Sequence, residues 1–167
     1  MIIKAKKILP QSINDALNVF YKTVGDKTDW LLIGSTSLIL QGADLGAELD
    51  IDILTSKEGA FLIDKLLCEY RTRMPNPNKD ISEKYISYFG QYLINDVNID
   101  VMGDFQYKKE NGSWSEIINL NEYKIFQLDD MNFKILPLEV EIEEYKATKR
   151  WDKVKVIQKM ILELKLP

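Results

Sequence analysis

The order of apolar and polar positions predicts a helix, a strand, a short helix and a second strand in the first third of the chain. Apolar residues recur at helical spacing over 13–24, so we expect an amphipathic helix that ends near Gly25. The continuously apolar run 30–33 predicts a strand, and a short helix is predicted to begin near Thr36. The run 48–54 then predicts a second strand that contains two aspartates.

The rest of the chain continues this mixture of helices and strands. Ser56 is predicted to cap a helix that runs to about Glu69, and the proline-rich stretch 71–80 predicts irregular structure. The remaining predicted elements are strands over 84–89 and 92–94, a turn at 95–96, a strand over 97–102, a hairpin of 123–128 and 133–136, and two helices after Pro137.

No repeat or linker divides the sequence, so a single domain is expected over 1–167. Its core is predicted over about 11–136 and a C-terminal helical part over about 137–167. The expected fold class is α+β, a mixed β-sheet flanked by helices, with helices at the C-terminus.

Composition then limits the chemistry. A formal net charge of −4 argues against a generally basic surface for binding nucleic acid. The chain has no histidine, which excludes imidazole bases, histidine-dependent triads and histidine-based zinc sites. The single cysteine, Cys68, lies in an apolar helical pattern and is expected to be a buried structural thiol. The N-terminal apolar stretch is too short for a signal peptide and no segment could span a bilayer, so we expect a cytoplasmic protein with no membrane partner.

Two aspartates interrupt the second predicted strand. Because side chains alternate along a strand, Asp50 and Asp52 are expected on the same face, with Ile51 and Ile53 behind them. Adjacent ionised carboxylates repel each other unless they share a proton, a cation or a metal ion, and hard oxygen ligands suit Mg²⁺ or Mn²⁺. A calcium loop is disfavoured because Leu54 stands at its third ligand position. A solvent-facing strand edge is the alternative, although the apolar flanks indicate an interior strand.

The turn between the two strands complements this carboxylate pair. Gly34 and Ser35 lie where a strand becomes a helix, so free N–H groups and the positive end of the helix face the loop. A role for Ser35 as a helix cap is the alternative and is compatible with phosphate binding. Asp100 is the candidate third carboxylate, since a hairpin would bring its strand beside Asp50 and Asp52. A phosphate site beside metal-binding carboxylates is what phosphoryl or nucleotidyl transfer requires.

Together these residues resemble the nucleotidyltransferase superfamily, whose polymerase-beta-like fold includes minimal nucleotidyltransferases, antibiotic nucleotidyltransferases and some toxins of toxin–antitoxin pairs. Gly34 and Ser35 are similar to its first motif, Asp50 and Asp52 to its Asp-x-Asp motif, and Asp100 to its later aspartate. The resemblance implies a nucleotidyltransferase-like fold and transfer of a nucleoside monophosphate from an NTP, first of all ATP, to a hydroxyl group, with release of pyrophosphate. It also implies that the three aspartates are catalytic and hold Mg²⁺ or Mn²⁺, while the Gly-Ser turn binds the nucleotide.

The resemblance leaves the acceptor open. A Gln-Gly pair stands at 41–42, where minimal nucleotidyltransferases often have Arg-Gly, so the acceptor could be a small molecule, a tRNA or a protein. RNA is less favoured because the chain is acidic. Relatives place a lysine near the donor on a C-terminal helix, which implies Lys146 or Arg150 as nucleotide-binding residues. The basic cluster that these two form with Lys149 and Lys153 is otherwise a solvated face.

The alternative function is a non-catalytic member of the same fold that binds a nucleotide or a protein. Toxin-like relatives often have a protein partner encoded nearby, so the resemblance also raises a toxin–antitoxin pair.

Overall fold

The computed structural model describes residues 1–46 and 49–165 of the protein, so Glu48, at the start of the second predicted strand, and the last two residues of the predicted helical part lie outside it. Its strands are β1 (Ile2–Lys4), β2 (Trp30–Ile33), β3 (Ile51–Thr55), β4 (Arg71–Arg73), β5 (Asp80–Ile81), β6 (Tyr85–Ile94), β7 (Val97–Tyr107), β8 (Lys124–Leu128) and β9 (Met131–Ile135). Its helices are α1 (Gln11–Val24), α2 (Gly34–Leu40), α3 (Lys57–Leu66), α4 (Leu138–Ala147) and α5 (Trp151–Leu164), and a 3-10 turn (Cys68–Tyr70) follows α3. None of these helices is long and apolar enough to cross a membrane.

The strands form one mixed sheet in the order β1-β8-β9-β2-β3-β7-β6-β4, and β5 pairs with β6 beside this path. Strands β1 and β8, β2 and β9, and β3 and β7 are parallel, whereas β2 and β3, β6 and β7, and β8 and β9 are antiparallel. This architecture confirms the α+β fold with a mixed sheet flanked by helices. Strand β1 lies before the predicted core but pairs along β8.

The two faces of the sheet have different partners. On one face, α1 and α3 cover the central strands, and Phe20, Ile53, Ile63 and Val101 are fully buried in one apolar cluster. Each such side chain stabilises the fold by ~1.5–3 kcal/mol relative to an exposed one, so this face holds the strands in place. On the other face, α4 and α5 pack together with Leu38 of α2. Because side chains alternate along each strand, Asp52 and Asp100 face this second side, opposite to the buried Ile53 and Val101.

Turn and cap residues fix several boundaries as predicted. The Ser56 hydroxyl accepts a hydrogen bond from the backbone N–H of Gly59 (2.9 Å) and caps α3. Gly25 ends α1. Asn95 and Asp96 both have positive φ angles in the two-residue turn between β6 and β7, which is the geometry that the right-handed twist of a tight hairpin favours.

Other boundaries differ from the prediction. The predicted strands 84–89 and 92–94 are one strand, β6, because Gly90 stays in the ladder opposite Val101. Arg71–Arg73, predicted to be irregular, pairs with β6 as β4, since the proline-rich segment begins only after it. Helix α2 begins at Gly34, two residues earlier than predicted.

The prediction of a buried Cys68 is wrong. Helix α3 ends at Leu66, and the chain continues into the 3-10 turn that contains Cys68. The residue therefore no longer follows the apolar stripe of the helix, and its side chain is exposed.

Candidate active site

Asp52 and Asp100 stand side by side on neighbouring strands. The parallel register of β3 and β7 pairs Asp52 directly with Asp100, after the hairpin between β6 and β7 has brought Asp100 to the middle of the sheet. Both side chains line one cavity of about 470 Å³ on the sheet face that packs against α4. The structure therefore brings together two of the three carboxylates singled out in the sequence.

Asp50 lies at the edge of this pair. Strand β3 begins at Ile51, so the two aspartates are not both in the strand, in contrast to the prediction. The backbone carbonyl of Asp50 accepts a hydrogen bond from the Thr36 hydroxyl (3.0 Å), which ties this residue to α2 instead of to the sheet ladder. Asp50 does not line the cavity, but its negative charge acts on Asp52.

The carboxyl group of Asp52 is held in an electrostatically unfavourable place. Burial, followed by the negative charges of Asp100 and Asp50, raises the pKa of Asp52 to about 7. The positive charges of Arg150 and Lys153 oppose this effect without cancelling it. Such a site has a deficit of positive charge that a bound cation would relieve.

A divalent cation fits these residues. Among residues 1–46 and 49–165, no three acidic or cysteine side chains converge closely enough to hold one ion by themselves. Mg²⁺, however, is commonly held by one or two protein carboxylates that share it with substrate phosphates and water. The adjacent carboxylates of Asp52 and Asp100 match that donor set, with Asp50 beside them.

Gly34 is fixed by its closeness to Asp52. Its φ angle is +72°, a conformation that residues with a Cβ rarely adopt. A Cβ on Gly34 would collide with Asp52 Oδ2 and lie 3.2 Å from Asp52 Cγ. The turn can therefore approach the carboxylate only because it carries no side chain.

The groups expected to bind phosphate already have protein partners. The backbone N–H of Gly34 donates a hydrogen bond to Glu141 Oε1 (2.7 Å), and the Lys153 ammonium donates one to the Ser35 hydroxyl (2.8 Å). Helices α4 and α5 thus each contribute one ionisable side chain to the turn. A carboxylate occupies the position beside Gly34 at which an anion was expected.

Glu141 is a functional candidate that the sequence analysis missed. Its carboxylate is buried, and Oε1 also accepts a hydrogen bond from the Tyr145 hydroxyl (3.2 Å), whereas Oε2 has no hydrogen-bond partner in the described part of the chain. Burial raises the pKa of Glu141 to about 8. The signal was present: Leu138, Glu141, Ile142 and Tyr145 have the spacing of one helix face, so an acid interrupts a buried apolar stripe.

The basic cluster divides between two places. Arg150 lines the cavity and lies over the ring of Tyr145 (4.9 Å), and Lys153 reaches Ser35. Lys146 pairs with Glu143 (3.6 Å) and lines a separate hollow between α4 and α5. Lys149 is exposed in the turn between these helices. Arg150 and Lys153 are therefore the cluster members placed near Asp52.

Part of the cavity wall is apolar. It includes Leu54, Met102, Phe105, Leu136 and Val140, and the carboxyl group of Glu144 also lines the cavity. Burial raises the pKa of Glu144 to about 7, against the opposing effects of Arg150 and Tyr85. The cavity thus combines charged side chains with apolar surface.

The pKa of Glu141 predicts how stability changes with pH in the metal-free protein. Because its pKa rises from 4.5 to about 8 on folding, the folded protein binds more protons than the unfolded chain between these values. The contribution of Glu141 to the free energy of unfolding is therefore greatest below pH ~4.5 and falls as the pH rises towards ~8. Urea unfolding in chelator should show a smaller decrease in stability from pH ~5 to ~8 for Glu141→Gln than for the wild type.

Glu139→Gln is the matched control, because Glu139 is exposed on the same helix. It should keep the wild-type pH dependence. A Glu141→Gln protein with that same dependence would contradict the assignment.

Comparison with known proteins places these residues in a wider context. Neither a scan against models of protein families nor a search of curated proteins finds a match. The structure is similar to that of a Thermotoga maritima protein provisionally described as a nucleotidyltransferase, with a TM-score of 0.78 and 28% identity over 95% of this chain and 98% of the other. It is also similar to lincomycin-bound LnuA, a lincosamide antibiotic adenylyltransferase, with a TM-score of 0.53 and 13% identity over 93% of this chain and 99% of LnuA.

Both similarities extend over nearly the whole chain. At 13% identity the likeness to LnuA concerns the fold alone. The Thermotoga protein has a similar fold. The protein has a nucleotidyltransferase-like fold, and the likeness to the Thermotoga protein supports nucleotidyl transfer as the general kind of reaction.

Proposed function

We propose that the protein is a Mg²⁺- or Mn²⁺-dependent nucleotidyltransferase that moves a nucleoside monophosphate from an NTP to a hydroxyl group. The observation that carries this proposal is the direct register of Asp52 with Asp100. That pair lies in a cavity together with Gly34 and Arg150, and Lys153 contacts the turn next to it. The site thus combines a carboxylate pair, whose negative charge Arg150 and Lys153 only partly offset, with donors suited to phosphates.

The donor nucleotide would bind with its phosphates towards the Gly34 turn. The Ser35 hydroxyl, Lys153 and Arg150 supply hydrogen-bond donors and positive charge. The N–H of Gly34 would join them once Glu141 releases it. Lys146 lies in the hollow between α4 and α5, so we assign its expected phosphate-binding role to Lys153. ATP is the first donor to test.

Asp52 and Asp100, with Asp50 beside them, are the residues that would hold the metal ion, which supplies charge neutralisation for the phosphates when it is bound. In the reaction, the acceptor oxygen forms a bond to the α-phosphorus as the bond to pyrophosphate breaks. The hydroxyl proton passes to the carboxylate of Asp100. Arg150 and Lys153 offset the negative charge that develops on the phosphates.

The cavity lining favours a small-molecule acceptor over a tRNA or a protein. The lining includes a group of apolar side chains and the acid Glu144, whereas an RNA acceptor would need more basic groups. Arg73, at the cavity wall, is already paired with Asp80 (3.1 Å). A compact acceptor with an apolar body and a hydroxyl group directed at Asp100 matches this surface.

Calorimetric titration of the four nucleoside triphosphates tests the proposal. We expect at least one of them to bind in Mg²⁺ and to lose affinity in chelator or in the double variant Asp50→Asn, Asp52→Asn. No binding of any triphosphate would contradict the proposal. Mg²⁺-dependent binding without product across a broad acceptor screen would instead favour a non-catalytic member of the fold.

A further inference from the structure

Two amide side chains hold one oxygen of Asp100. Asp100 Oδ1 accepts hydrogen bonds from Gln91 Nε2 (3.0 Å) and from Asn98 Nδ2 (2.7 Å). Gln91 lies directly opposite Asp100 on β6, and Asn98 precedes Asp100 by two residues on β7, so all three side chains share one sheet face. Asp52, Asp100 and Gln91 therefore form a row across three neighbouring strands.

The two carboxylate oxygens of Asp100 differ in their hydrogen bonds. An ionised carboxylate accepts hydrogen bonds at both oxygens, but here both amides converge on Oδ1. One amide nitrogen approaches from β6 and the other from Asn98, two residues earlier on β7, so the two hydrogen bonds fix the orientation of the carboxylate. Oδ2 is the oxygen that these amides do not occupy, and the Asp100 side chain lines the cavity.

The negative charge of Asp52 makes such support necessary. Asp52 lies directly opposite Asp100 in the register of β3 and β7, so the negative charges of the two carboxylates repel each other. In the absence of other contacts, Asp100 would lower this repulsion by turning away from β3. The two amide donors attract the Asp100 carboxylate and hold it in place at the centre of the row.

We propose that Gln91 and Asn98 are positioning residues, which hold Asp100 Oδ1 so that Oδ2 is presented to the divalent cation and to the acceptor hydroxyl. This inference rests on the proposed function of the same site. Neither amide needs to touch a substrate, and both act through Asp100. Partners of metal-binding groups commonly change metal affinity by about 10–100-fold when they are removed.

The test is titration with Mn²⁺ alone, followed by the electron paramagnetic resonance signal of free Mn²⁺. Gln91→Met keeps the size of the side chain but removes its donor, and we expect about tenfold weaker Mn²⁺ binding. Gln91→Asn keeps an amide that is one methylene too short to reach Asp100, and it should behave in the same way. Adding Asn98→Ser to Gln91→Met should weaken binding further, with thermal unfolding close to that of the wild type.

Gln127→Met is the matched control, because Gln127 is half-buried in β8 of the same sheet and away from the cavity. It should bind Mn²⁺ as the wild type does.

Asp100→Asn distinguishes the positioning role of the two amides from the metal site itself. If Asp100→Asn loses Mn²⁺ but the Gln91 and Asn98 variants do not, the positioning role is wrong and the proposed function stands. If the wild type binds no Mn²⁺ on its own, this inference fails, whereas the proposed function, in which substrate phosphates share the ion, is decided by the triphosphate titration. If Asp100→Asn binds Mn²⁺ normally, the metal site and this inference both fail.

Discussion

Alanine in place of Gly34 is expected to abolish nucleotidyl transfer and to destabilise the protein. The φ angle of +72° costs a residue with a Cβ about 1–2 kcal/mol. The new Cβ would also overlap Asp52 Oδ2, so either the turn or the carboxylate has to move. A displacement of about 1 Å at reacting groups can lower the rate by ~100-fold, and we expect at least this loss for Gly34→Ala.

Gly112→Ala distinguishes the cost of the backbone conformation from the cost of the contact with Asp52. Gly112 also has a positive φ angle (+84°), but no atom lies within 4 Å of the place of its Cβ. Urea unfolding of both variants should show a similar backbone cost for each and an additional cost for Gly34→Ala alone. Mg²⁺-dependent triphosphate binding should be unchanged in Gly112→Ala. If both variants bound the nucleotide equally well, the contact between Gly34 and Asp52 would not be what the site requires.

Asp52→Asn is expected to remove activity while it stabilises the metal-free fold. The side chain loses the charge that would hold the cation, which should reduce turnover by ~10²–10³-fold or more. The pKa of Asp52 rises from 3.8 to about 7 on folding, so the ionised form is disfavoured in the folded protein. The resulting loss of stability develops as the pH rises from ~4 to ~7 and is complete above ~7. At pH ~8 the neutral variant should therefore be more stable in chelator, by up to about 4 kcal/mol.

Asp96→Asn is the control for this prediction. It removes the same charge from the exposed turn between β6 and β7, where asparagine also accepts the positive φ angle of +62°. Its stability and its triphosphate binding should match the wild type. Asp52→Asn with full activity, or with lower stability than the wild type at pH ~8 in chelator, would show that Asp52 does not have the predicted role.

Local sequence patterns were sufficient for the centre of the fold. Asp52 is flanked by Ile51 and Ile53, which fix its strand, and the turn at Asn95 and Asp96 fixes the hairpin that carries Asp100. Once two strands are assigned, alternation decides which side chains share a face. The closeness of Asp52 and Asp100 was therefore predictable from short segments of the sequence.

Contacts between distant segments were not predictable in this way. Glu141 and Lys153 reach the Gly34 turn only because α4 and α5 fold back onto α2, more than 100 residues away in the chain. The sequence grouped the four basic residues as one cluster at the junction of the last two helices. In the structure, Lys146 lines the hollow between α4 and α5, whereas Lys153 reaches Ser35. The amides of Gln91 and Asn98 contact Asp100 because of the register between β6 and β7, which the sequence analysis did not assign.

A crystal of the protein grown with MnCl₂ and a non-hydrolysable α,β-methylene analogue of ATP tests the central claim most directly, because it needs no acceptor. We predict an anomalous manganese peak at the carboxylates of Asp52 and Asp100, with the triphosphate extending along Ser35 towards Lys153 and Arg150. Asp52→Asn, prepared in the same way, should lose the peak. A nucleotide bound in the hollow between α4 and α5, or manganese bound away from these two aspartates, would contradict the assignment of the active site.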